Sequence, residues 1–171
     1  STNNVYQPLG STMGLPVSIA AATNDGRILF YMSINATVQP RFRIAGFGAA
    51  TTTAFPVYLP GEITLIKAEA LARTNDLPNA LIELNKVVTK TAASDPFGVG
   101  ANQPAVASGL TQSQLLEQIY RHRCIELYMS GMRLEDQRRF GRAVAERKRN
   151  LMPYPFRERD NNPNTPPDPA F

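Results

Sequence analysis

Four charged residues invite a chemical reading first. Arg123 and Glu126 stand three positions apart, and so do Arg133 and Asp136. On a helix that spacing puts both members of a pair on one face. Paired acids and bases can move protons, but an arginine beside a carboxylate favours its charged form, the wrong state for a general acid. The expectation is a structural ionic network of Arg123, Glu126, Arg133 and Asp136, with no catalytic residue. His122 and Glu126, at i and i+4, have the spacing of a two-ligand metal pair. There is no second histidine, and the single cysteine, Cys124, falls elsewhere around the helix. A protein-only metal site is therefore not expected, nor a cofactor, and His122 reads as a helix-surface residue. Nucleophile elbows, phosphate loops and two-histidine metal motifs are absent from the sequence.

The elements that must carry these residues follow from periodicity. After Pro60-Gly61 a helix puts Ile63, Ile66 and Ala70 on one face and Leu65, Ala68 and Ala72 on nearly the opposite one. A helix apolar on two faces needs neighbours on both. Asn75-Asp76-Leu77-Pro78 breaks the chain, with Asp76 as a cap and Pro78 in the next first turn. A second helix over about 78–92 then completes a helical hairpin of tetratricopeptide character. A loop over 93–110 precedes a third helix, opened by a Thr111/Gln114 capping box and stopped at Gly131. Leu115, Leu116, Ile119, Tyr120 and Leu127 form its apolar face, and Arg123 and Glu126 project onto that same face. A buried charge must be paired. A short helix covers 133–140.

Residues 1–59 resist assignment. Ile28-Leu29-Phe30-Tyr31-Met32 reads as a strand or buried extended segment, Asn24-Asp25-Gly26 as a turn, and 45–54 as a flexible loop. The last 19 residues hold six prolines. They read as an extended tail that cannot be helical, anchored by Leu151, Met152, Tyr154 and Phe156. The resulting fold class is mainly α: a tetratricopeptide-like α-α superhelix with long irregular loops and an extended Pro-rich C-terminal tail. The expected division is 1–59, irregular, and 60–171, helical.

Composition narrows the function. The chain has 171 residues, 43% hydrophobic and 19% charged, an ordinary globular balance. Its net charge of +4 could suggest an anionic partner. Yet the nine Lys/Arg between positions 133 and 159 are interleaved with Glu135, Asp136, Glu146 and Glu158, and there is no Trp. No aromatic run alternates with the basic residues as a base-stacking platform would require, so no nucleic-acid partner is expected.

The third and fourth helices resemble a known family. His122-Arg123-Cys124-Ile125-Glu126-Leu127-Tyr128-Met129-Ser130-Gly131-Met132-Arg133, then Asp136, Arg139, Phe140 and Gly141, is similar to the C-terminal signature of SusD/RagB proteins. That signature reads roughly E-R-x-x-E-L-x-x-E-G-x-R, then Asp, then Arg-aromatic-Gly. His122 and Ser130 stand where the family usually has Glu. Gly61-Glu62-Ile63-Thr64-Leu65-Ile66-Lys67-Ala68-Glu69-Ala70 resembles the family's helix ending A-E-A. The tail Met152-Pro153-Tyr154-Pro155, with the stretch 160–164, resembles its closing P-x-P and N-P-N segment.

The resemblance implies a non-catalytic, lipid-anchored protein of the outer-membrane surface. Such a protein binds oligosaccharides or polysaccharides and works with a SusC-like TonB-dependent transporter. It also implies that the chain is the C-terminal portion of a longer protein, whose lipidated cysteine and main aromatic ligand residues lie upstream. Sugar binding needs flat aromatic faces and nearby polar groups. Within this chain the candidates are Phe47, Tyr31, Tyr58 and Tyr6, together with Arg27, which could donate to a hydroxyl and otherwise reads as a solvated arginine. The rival reading is a helical-repeat module that binds a protein or peptide.

Overall fold

A computed structural model describes residues 12–34, 42–147 and 154–167. They form a mainly helical fold of seven α-helices and one two-stranded sheet. The chain divides into two compact units, Ser1–Ser130 and Gly131–Phe171. The sequence boundary at 59/60 therefore falls inside the first unit.

The first unit is built on a hairpin of α2 (Pro60–Arg73) and α3 (Leu77–Val88), with α4 (Gln112–Glu126) packed on both. Pro60 presets the first turn of α2. The Asp76 side chain accepts from the Asn79 N–H at the start of α3. Thr111 and Gln114 close the expected capping box on α4. Leu65, Ala68 and Ala72 of α2, Ala80 and Leu84 of α3, and Ile119 and Tyr120 of α4 are fully buried. Each large apolar side chain there contributes about 1.5–3 kcal/mol through burial. The small alanines let the helices approach closely. On the opposite face of α2, Ile63 and Ile66 stand exposed.

The irregular N-terminal segment contains more helix than its sequence suggests. Asp25 caps α1 (Gly26–Tyr31) by accepting from the Arg27 N–H at 3.0 Å. The run expected as a strand is thus a helix that turns into β1 (Met32–Ile34). That strand pairs antiparallel with β2 (Phe42–Ile44), Met32 opposite Ile44. The cap decides the difference: a buried aspartate satisfies the free N–H that an apolar hexapeptide could not satisfy alone. Helix α4 ends at Glu126, short of Gly131, and Met129 takes a positive φ of 64° in the following turn.

In the second unit, α5 (Arg133–Arg139) and α6 (Val144–Arg147) follow one another. The tail corrects the sequence expectation: α7 (Phe156–Asn161) is helical. Proline bars helix only from its own position and the turn it follows. The gap between Pro155 and Pro163 leaves room for one short helix, and Pro155 takes its N-cap place. Phe156, expected as an anchor, is exposed, and Leu151 and Met152 lie outside the described residues.

Candidate functional site

The first unit holds a buried ionic network gathered from three stretches of sequence. At its hub is Glu126, with no exposed surface. One of its carboxylate oxygens accepts from Lys90 Nζ at 2.6 Å and the other from Arg27 Nη1 at 3.2 Å. Arg27 is held again by Asp25, through Nε at 3.0 Å and Nη2 at 2.7 Å. Lys90 is held again by Asp95 at 2.7 Å. Gly61, in the first turn of α2, lies so close that a Cβ there would overlap Glu126 Oε1. Only glycine admits the carboxylate at this point.

His122 completes the arrangement. Its Nδ1 lies 3.0 Å from Arg27 Nη2. A guanidinium donates and never accepts, so Nδ1 must present a lone pair and the ring is neutral. Burial first, then the charges of Arg27 and Arg121, push the His122 pKa well below its ordinary value. Burial works against the charge on Arg27 as well. The hydrogen bond to Asp25 and the charge of Glu126 outweigh it and hold the guanidinium above its usual pKa.

These positions correct several sequence expectations. Arg27, expected to be solvated or to face a ligand, is fully buried with its donors engaged. His122 is buried, not a surface residue, because the last turn of α4 is enclosed on every side. Tyr31 turns inward and donates its hydroxyl to the Glu126 carbonyl at 2.6 Å. Burial, then the charge of Glu126, raises its phenol pKa. Of the expected network members, Arg123 and Glu126 are buried in the first unit. Arg133 and Asp136 belong to the second, where Asp136 pairs with Arg139. Tyr6 lies outside the described residues.

Above the network sits an aromatic patch. Phe47, in a loop that makes one 3-10 turn after β2, is half-buried at its centre. Its ring centroid lies 5.2 Å from Phe30, 6.3 Å from Tyr31, 5.6 Å from Phe55 and 6.0 Å from Phe97. Tyr31 meets Tyr128 edge-on at 5.6 Å. Phe30, Tyr31 and Tyr128 form the base, while Phe55 and Phe97 are 58% and 41% exposed. Tyr58, a few residues on from Phe55, is 61% exposed.

Phe55 and Phe97 are the patch residues that sequence reasoning missed. The signal at Phe97 was local: an aspartate two residues before it, in a glycine-containing loop, favours an Asx turn that presents the aromatic. Asp95 Oδ1 does accept from the Phe97 and Val99 N–H groups, at 2.9 and 3.2 Å. Nothing comparable marked Phe55.

Among the described residues no group of three or more His, Cys, Asp or Glu could hold a metal ion. No described helix is long and apolar enough to cross a membrane. The SusD family model (SusD/RagB) matches residues 46–168, well over half of the chain. No curated protein and no solved structure matches it.

Proposed function

The chain belongs to the SusD family, and on that premise we propose that it captures an oligosaccharide at the Phe47 patch, without catalysis, for nutrient uptake. The observation that carries this reading is the pair of exposed rings, Phe55 and Phe97, set against the half-buried Phe47 ring. Sugars present apolar C–H faces that stack on aromatic faces. Rings fixed before binding lose little entropy on capture. Tyr58 adds an exposed phenol nearby in sequence.

The buried carboxylates favour binding over catalysis. Asp25, Asp95 and Glu126 are committed to cations in the interior, out of reach of a substrate proton. The remainder of the proposal comes with the family: a lipid-anchored position at the outer-membrane surface and transfer to a SusC-like TonB-dependent transporter. The open Ile63 and Ile66 face of α2 supports a longer stack of tetratricopeptide-like helix pairs in the whole protein.

The test is calorimetric titration with a panel of neutral oligosaccharides. Phe55→Ala and Phe97→Ala should each weaken binding, with thermal stability little changed. Unaltered affinity in the double variant sinks the patch. One observation favours the rival interaction module, an apolar groove of about 580 Å³ beside α3, lined by Leu77, Pro78, Leu81, Ile82, Leu110 and Leu115 among others. Peptide capture in that groove, with no glycan bound by the chain, would put the rival ahead.

A further inference from the structure

Two arms lead from Glu126 in the network to the patch. The Glu126 carbonyl takes the Tyr31 hydroxyl, and Arg27 on its carboxylate belongs to the same short helix as Phe30 and Tyr31. This arm holds the base on which Phe47 rests. The other arm runs through Lys90 and Asp95 to Phe97. We propose that Lys90 is a positioning residue for the patch: its ammonium, clasped between Glu126 and Asp95, sets the loop that carries Phe97 against Phe47. The proposal rests on the reading of the patch as the ligand surface.

The two oxygens of Asp95 have separate tasks. Oδ2 faces Lys90 Nζ, and Oδ1 accepts from the backbone N–H groups of Phe97 and Val99. The Asp95 carbonyl accepts from the Gly98 N–H at 3.0 Å. Three bonds from one residue thus define the turn that displays the Phe97 ring. At its base the loop is closed by the Asn102 N–H donating to the Lys90 carbonyl at 2.8 Å and the Gln103 N–H donating to the Val88 carbonyl at 2.9 Å. Val99 and Ala101 are fully buried, and a Cβ on Gly100 would overlap the backbone of Ala92. The loop is packed against itself, so a shift of Asp95 carries to Phe97.

Lys90 is the member that fixes where Asp95 stands relative to Glu126. A buried ion pair contributes little stability over an apolar replacement. Its directional bonds do specify position, and here the position specified is that of an exposed ring.

The chain has no tryptophan, so Phe97→Trp provides a sole tryptophan reporter at the patch. In that background Lys90→Gln should shift Trp emission to the red and raise acrylamide quenching, while far-UV circular dichroism is retained. Lys90→Arg should restore both signals, because a guanidinium can bridge the same two carboxylates. Binding to whichever oligosaccharide of the panel the parent takes should weaken about two- to tenfold in Lys90→Gln, the effect of one misplaced ring.

Where Lys90→Gln does not fold, Lys90→Met with Asp95→Asn removes the clasp without changing net charge, and the same signals are read. An unchanged emission and quenching in a folded variant overturns the proposal. So does loss of the fold in both variants, since that makes Lys90 structural. If the parent binds no oligosaccharide, the glycan reading fails, while the reporter still judges whether Lys90 positions the loop.

Discussion

In the first unit a single carboxylate finds its cations 36 and 99 residues away, Lys90 and Arg27. In the second, Arg138, Arg139 and Arg142 pair with Glu135, Asp136 and Glu146 three or four positions away. Neighbours on a helix meet because the helix already exists, and such a pair contributes a few tenths of a kcal/mol. Distant residues meet only when the tertiary fold is complete. Their charges leave water, and each partner becomes costly to remove. The pairs named in the second unit stay local, whereas the Glu126 network in the first unit defines how segments join.

The contrast can be broken at its strongest point by Glu126→Gln. It removes the shared partner of Arg27 and Lys90 and should cost about 3–5 kcal/mol, read by urea unfolding with amide protection at Leu65 and Ile119. A cost no larger than that of a surface pair would end the distinction. Gly61→Ala should cost about 1–3 kcal/mol, since the added methyl meets Glu126 Oε1. A double-mutant cycle with Glu126→Ala should show coupling of about 0.5–3 kcal/mol, and additive costs would deny the contact.

His122 gives a pH test of the same network. Its pKa is depressed in the folded state from an ordinary 6.5. Below that value the unfolded chain binds more protons than the folded one, so stability falls as pH falls toward the folded value. The slope is at most about 1.4 kcal/mol per pH unit. Stability followed from pH 7.5 to 5 should decline more steeply in the parent than in His122→Gln, and equal slopes would remove His122 from the network. At the small end, Glu135→Gln breaks an exposed i,i+3 pair with Arg138 and should stay within about 0.5 kcal/mol.

What the sequence made legible follows the same line. The α2–α3 hairpin, the Asp76 cap, the Thr111/Gln114 box and α5 all depend on residues within four positions of one another, and periodicity reads that range. Arg123 and Glu126 were expected to be buried and are. The partners of Glu126 were sought nearby in sequence because nothing in a linear pattern points from residue 126 to Arg27 or Lys90. The patch was half legible for the same reason. Phe47 stood out in a loop of small residues, but its neighbours Phe55 and Phe97 come from other loops. The helix α7 was missed because proline density was read over the whole tail rather than across the gap between Pro155 and Pro163.

Each cation of the network also has a carboxylate close in sequence. Asp25 is two residues from Arg27, and Asp95 is five from Lys90. During synthesis the residues of both short pairs are made before residue 126. The expected order is two small clasps closing early and independently, with α4 arriving last to tie them through one side chain. The slow step of folding should then be the docking of α4. Pulse-labelled hydrogen exchange would show it as late protection of Ile119 and Ile125 together with Ile28, after the α2–α3 hairpin has already closed.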